Sequence, residues 1–299
     1  MLKATTALMM GLMALGLASP VPSPVLLSDV FVSVKTSGLF HNSRLPVLLA
    51  TWLPEAGRSV HLFTDAPPST SLANSLKATG AEMVETGCPS DHSRSALCCK
   101  MQAELAAFLN SPAREDWFCH LDDDNYLHVD GLLHTLARFP TTRGQQHYLG
   151  KSSIARPLDL LDRRQSPPSP VRFTFGTGGA GVCISRAALQ RLEAEQQLVS
   201  GFQDVGDTIR LPDDVTLGYL METVLGVKLT PLPSFHSHLE PLRTLKSNEL
   251  DSLVTASYSV YEDTGERNSL ELGQDPGTDP TAFLKLHRML HPEAVLQSL

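Results

Sequence analysis

The sequence has no basic excess: 32 Asp and Glu outnumber 24 Lys and Arg, for a formal net charge of −8. A protein that grips a nucleic-acid backbone carries a positive surplus, so no nucleic-acid partner is expected. No internal repeat is visible. No pair among the five cysteines (Cys88, Cys98, Cys99, Cys119 and Cys183) has the C-x-x-C spacing of a zinc knuckle. A full-length membrane span is missing too. The apolar run Ala4 to Ala18, led by Lys3 and closed by Ser19-Pro20, falls short of the roughly 20 residues a span needs. It suits the h-region of a signal peptide. Leu2 and Val25-Leu26-Leu27 flank it, which keeps a thin single-pass anchor open. Both readings send the chain into the secretory pathway; an apolar tail on a cytosolic protein is the plainer alternative.

What is present builds a core. With 42% hydrophobic and 19% charged residues over 299 positions, the chain suits one large α/β domain or two small ones rather than disorder. In an oxidising lumen, five cysteines allow two disulfides and one leftover thiol. Adjacent Cys98 and Cys99 do not bond each other, because that ring is strained. Five buried thiols is the alternative.

The pattern alternates strands and helices. Asp29 to Thr36 (DVFVSVKT), Val60 to Thr64, Trp117 to Leu121 (WFCHL), Tyr148-Leu149, Val171 to Phe175 and the VKLTPLPSF stretch read as strands. Leu45 to Trp52, Ser95 to Leu109, Val129 to Phe139, the stretch capped by Ser185 and the one opened by Pro212 read as helices. Ser166 to Pro170 reads as an exposed loop, and the segment beyond Leu250 as an appendage on a sheet edge. Strands separated by helices predict a largely parallel sheet.

Three clusters carry chemistry. Asp122-Asp123-Asp124 follow a buried strand, where ligands of open α/β sheets bind. Like charges so close repel unless a cation sits among them, and hard oxygen ligands select Mg²⁺ or Mn²⁺. A solvated acidic turn is the bland alternative. Asp213-Asp214 open a helix, where capping alone explains an acidic pair. His236 and His238 stand two apart, on one side if the strand continues that far.

Taken together, DVFVSVKT, RLPVLLATW, HSRSALCCKM, WFCHLDDDNY, GTGGAGVCISR, IRLPDDVTLGY and FHSHLE resemble the Fringe family of glycosyltransferases, in the family's order, over most of Asp29 to Glu240. CCKM leans towards its manic or radical members. The resemblance implies a GT-A type fold with a Rossmann-like, mostly parallel sheet flanked by helices. It implies an O-fucosylpeptide 3-β-N-acetylglucosaminyltransferase that uses Mn²⁺ and UDP-GlcNAc and acts on O-fucosylated EGF-like repeats of Notch receptors. Carried onto this chain, Asp124 and His238 are the metal ligands, and Asp123 and Arg44 bind the donor. Asp214 is the catalytic base; inversion at the anomeric carbon needs one such base. The same resemblance implies Cys88–Cys99 and Cys119–Cys183 disulfides with Cys98 free. It also implies a Golgi membrane protein of type II with a lumenal catalytic domain, or a secreted one. Residues 1–28 would be leader or anchor with minimal stem, and 29–299 one catalytic domain. The tail LHRMLHPEAVLQSL lacks the cysteine pair usual in the family, and Val215 stands where a cysteine is common. The rival readings are a related UDP-sugar β-1,3-galactosyltransferase and a non-catalytic secreted sugar-binding relative.

Overall fold

A computed structural model describes residues 24–293 except 196–197, 199–200, 251, 262 and 273–278. The strands are β1 (Val30–Lys35), β2 (Val60–Thr64), β3 (Glu82–Glu85), β4 (Trp117–Asp122), β5 (Asn125–Leu127), β6 (Tyr148–Gly150), β7 (Leu158–Asp162), β8 (Ser169–Phe173), β9 (Val182–Ser185), β10 (Leu229–Pro231), β11 (Thr255–Ser257), β12 (Ser259–Val260) and β13 (Arg267–Asn268). The helices are α1 (Leu45–Leu49), α2 (Leu53–Ala56), α3 (Thr70–Thr79), α4 (Arg94–Asn110), α5 (Val129–Leu136), α6 (Arg186–Ala194), α7 (Phe202–Ile209), α8 (Asp213–Tyr219), α9 (Ser247–Leu250) and α10 (Phe283–Leu290).

Seven strands form the central sheet in the order β10-β6-β9-β4-β1-β2-β3. All neighbours run parallel except β9, which is antiparallel to both β4 and β6. The reason lies in the strand sequences. In β1 the residues Val30, Val32 and Val34 enter one core while Phe31 enters the other. A strand apolar on both faces needs cover on both. On one side Leu48, Trp52, Leu72, Leu76, Leu132 and Phe283 supply it; on the other, Met101, Leu105, Phe108, Leu189, Phe202 and Leu217. The expected mostly parallel α/β sheet flanked by helices is therefore what forms.

Local chemistry sets the boundaries. The Ser69 and Ser93 hydroxyls accept from Leu72 and Ala96 N–H and cap α3 and α4. Ser185 precedes α6 as expected, but its hydroxyl accepts from His147 N–H and donates to Gln145 O, so it pins β6 rather than capping. Leu45 to Trp52 is not one helix: α1 ends at Leu49 and α2 starts at Leu53. The Ser166 to Pro170 stretch is a loop only in its first part, because Ser169 and Pro170 already belong to β8, hairpinned with the unforeseen β7. VKLTPLPSF holds only the short β10.

The segment beyond Leu250 does not add to an edge of the central sheet. β11 pairs antiparallel with β5, just past the acidic turn. Thr255 Oγ donates to Ala180 O at 2.6 Å, and Phe283 of α10 packs on Tyr126 and Tyr258. β5 lies outside the central sheet, and β11 satisfies the edge it would otherwise present. Cys88–Cys99 and Cys119–Cys183 are bonded and Cys98 is free and buried, as the resemblance implied. Among the described residues no helix is long and apolar enough to cross a membrane; the Ala4 to Ala18 run lies outside them.

Candidate active site

Strand β4 ends in the acidic run. Its alternation sends Trp117, Cys119 and Leu121 into one core, and leaves Phe118, His120 and Asp122 on the other face. Register puts Lys35, the last residue of β1, directly opposite Asp122. The three aspartates then diverge. Asp122 Oδ1 lies 3.0 Å from Lys35 Nζ, and Lys35 also donates to Asp213 Oδ2 at 2.7 Å. Asp123 accepts from Thr36 Oγ at 2.7 Å and from Arg44 Nη1 at 2.6 Å. Asp124 Oδ2 is 3.2 Å from the same Arg44 nitrogen, and its Oδ1 is 3.4 Å from Ser257 Oγ. Repulsion along the triplet is thus relieved largely by Lys35 and Arg44.

Ser257 of β11 is the hinge of the metal-type pair. Its hydroxyl touches both Asp124 Oδ1 and His238 Nδ1, the latter at 3.3 Å. His236 does not share the site: it is buried and faces Glu240, 3.3 Å away. The chain has left β10 before reaching the histidines, so strand alternation does not align them.

The glycine run threads between these groups. Asn125 holds it, taking Asp122 N–H on its carbonyl and donating to Gly179 O at 2.9 Å. A Cβ on Gly179 would meet His238 Cε1 at 2.9 Å, and Gly181 has φ +80° with Leu121 pressed against it. A Cβ on Gly178 would find Asp214, His120 and Asp122 at 3.7, 3.8 and 3.9 Å. That point is where the second acidic pair joins the first. Asp214 accepts from Gly178 N–H at 3.3 Å and from Val215 N–H at 2.8 Å. It is partly buried, while Asp213 is fully buried on Lys35.

The electrostatics separate these carboxyls. Burial works against the Asp122 anion, yet Lys35 and His120 hold its pKa far below the usual range. Burial, with Asp122 and Asp123 close by and only partly offset by Arg44, pushes Asp124 up to about 7. Burial, reinforced by Asp213, pushes Asp214 up to about 6. Burial also lowers His238, leaving a neutral imidazole beside Asp124. Behind them His120 Nδ1 sits 2.6 Å from Glu104 Oε2, which also accepts from Ser33 Oγ. Glu104 outweighs the burial of His120 and lifts it to about 9.

Whether a divalent cation suits Asp124 and His238 is decided by that donor set. A buried carboxyl short of positive charge, a neutral imidazole and a hydroxyl between them are what such a cation would complete. The residues fit the ion. All five sequence-predicted site residues line this one region: Arg44, Asp123, Asp124 and His238 on one side of the glycine turn, Asp214 on the other. Lys35, Glu104, His120 and Ser257 were missed. Lys35 and His120 lie inside the strings DVFVSVKT and WFCHLDDDNY, but strand register, not spacing, brings them together.

The sequence profile of the Fringe-like family matches residues 25–294. Over 283 residues the chain is 42% identical to the β-1,3-N-acetylglucosaminyltransferase manic fringe of Homo sapiens, covering 92% of this chain and 83% of that one. It is 38% identical to the lunatic fringe enzyme of Danio rerio, covering 92% and 71%. Among solved structures a galactosyltransferase, LgtC, in complex with donor and acceptor sugar analogues, is distantly similar: TM-score 0.44 and 14% identity over 90% of this chain and 96% of that one. The acidic turn, the glycine turn that joins it to Asp214 and the histidine beyond β10 all fall inside the matched span, and the chain belongs to the Fringe-like family.

Proposed function

We propose that this protein is a metal-dependent inverting glycosyltransferase of GT-A type. It moves N-acetylglucosamine from UDP-GlcNAc in β-1,3 linkage to O-linked fucose on EGF-like repeats of Notch. The donor sugar and linkage rest on the names of its relatives. The observation that carries the mechanism is the separation of two carboxyls across the glycine turn, one beside a histidine and one alone on a partly open helix start.

Asp124 and His238 would hold Mn²⁺, which when bound would supply positive charge to the departing diphosphate. Arg44, stacked on Phe40 at 3.8 Å and fixed on Asp123, presents its remaining N–H groups to the donor. Asp123 is held by Thr36 and Arg44, so its position towards the nucleotide is set before the donor arrives. Asp214 accepts the proton of the fucose hydroxyl as its oxygen attacks the anomeric carbon and the bond to UDP breaks. A carboxylate raised to about 6 is a stronger base than a free one, yet ionised at neutral pH. Lys35 neutralises Asp213 and Asp122, so those anions do not drive Asp214 higher still. The same reading puts the domain in the Golgi lumen behind a single-pass type II anchor, or outside the cell after cleavage. The two disulfides suit an oxidising compartment.

The test incubates the protein with Mn²⁺, UDP-GlcNAc and a fucosylated EGF repeat. Mass spectrometry should show one added N-acetylhexosamine, lost with EDTA. Transfer only from UDP-galactose would point to the galactosyl reading, and UDP binding without transfer to a non-catalytic relative.

A further inference from the structure

Away from this site, the end of α10 meets α2 in a cluster that the transfer reaction does not use. His287 stands in the last turn of α10 and His291 closes it, four residues on, the spacing that puts two side chains on one helix face. Their ring centroids are 4.7 Å apart. Glu55 of α2 faces both: its Oε1 is 3.7 Å from His287 Nε2 and 3.4 Å from His291 Nδ1. Those separations are long for hydrogen bonds. They are close to the edges of a tetrahedron with metal–ligand bonds of about 2.0–2.1 Å, whose edges are about 3.3–3.4 Å.

One further observation favours a ligand over simple packing. His287 Nδ1 lies 2.9 Å from the Tyr126 hydroxyl, which fixes the ring and leaves Nε2 turned to Glu55; metal-bound imidazoles are oriented by such outer partners. In His291 it is Nδ1 that faces Glu55, so Nδ1 is the nitrogen offered to the ion, while Nε2, on the other side of the ring, is buried without a partner. A third imidazole, His128, stands edge-on to His291 at 5.5 Å. Among the described residues this is the one place where three metal-type side chains offer ligand atoms all within 4.8 Å of one another.

We propose that Glu55, His287 and His291 form a second metal site, selective for a zinc-class dication and distinct from the Asp124–His238 pair. Two imidazoles and one carboxylate suit zinc better than manganese or magnesium. Water would fill the fourth position. The ion ties α2, the end of α10 and, through His287, Tyr126, which lies two residues past Asp124. Its role is to clamp the C-terminal segment over β5.

The test uses untagged full-length protein stripped with chelator and held in excess Mn²⁺ to saturate the donor site. Zinc should be retained at one equivalent through gel filtration and should raise Tm, and Co²⁺ should give the visible absorption of a tetrahedral site. Glu55→Gln and His291→Gln should each weaken zinc by more than about tenfold, with metal-free Tm values reporting that both variants fold. Asp124→Asn should leave zinc binding unchanged. Wild type that retains no zinc would overturn the proposal. So would zinc that survives both cluster substitutions, or zinc that Asp124→Asn removes. None of these readouts depends on sugar transfer, so the two proposals fail separately.

Discussion

Asp214 and Asp213 are neighbours with opposite duties, and substitution should separate them. Asp213 is buried on Lys35. Asp213→Asn leaves that ammonium with less compensation, and breaking a buried pair costs on the order of 3–5 kcal/mol. The expected result is a clear fall in Tm. Asp214→Asn should do the reverse. Transfer falls by roughly 10²–10⁴-fold, the share of a positioned base, while Tm at neutral pH holds or rises. The sign follows from its raised pKa of about 6. A folded-state pKa above that of the unfolded chain favours folding at low pH, and the benefit is lost as pH rises through about 6. Above that pH the anion burdens the fold, and Asn removes the burden. For the same reason kcat/KM should rise with pH through about 6 and then level. Rates independent of pH from 5 to 8, or an Asp214→Asn variant with full activity, would sink the assignment. The resemblance singled out Asp214; the partner that holds Asp213 was not legible. Nothing in the string PDDVT shows that Lys35, far away in the chain, claims the first carboxylate.

At the scale of elements, the glycine turn of residues 178–181 positions more than it binds. Gly179→Ala brings a methyl to 2.9 Å from His238 Cε1. The imidazole must move, so the Mn²⁺ concentration for half-maximal transfer should rise by about tenfold or more with Tm nearly unchanged. Gly181→Ala is different in kind. It forces a side chain into positive φ and onto Leu121, and denaturant unfolding should show a loss of roughly 2–4 kcal/mol. The side chains that crowd this turn are His238 at Gly179 and Leu121 at Gly181. The elements that escaped the sequence are short or made from afar. β3 has an EMVE pattern too brief to stand out, β5 is three residues, and β11 exists because β5 offers it an edge. Polar composition after Leu250 pointed to an appendage on a sheet edge, whereas Ser257 makes this strand part of the site.

Across the whole molecule, two disulfides brace different spans. Cys119 and Cys183 face each other across β4 and β9 and close a separation of 64 residues, against 11 for Cys88–Cys99. By loop-closure entropy the first contributes about 4 kcal/mol and the second about 3. The double substitution Cys119→Ala with Cys183→Ala should therefore lower unfolding stability more than Cys88→Ala with Cys99→Ala; the opposite order would show that local strain outweighs chain entropy. Cys98 stands apart from both pairs, against Gly206, where a Cβ would come within 2.7 Å of its sulfur. Burial pushes its thiol up to about 12. The consequence concerns assembly rather than the finished enzyme. Cys88 must choose between adjacent partners, and on a helix adjacent side chains point about 100° apart. If α4 forms before oxidation, Cys98 turns inward and only Cys99 is in reach. Once the fold closes, a thiol that does not ionise has no means to attack the neighbouring bridge. Burial of the spare thiol thus protects the native pairing against later exchange.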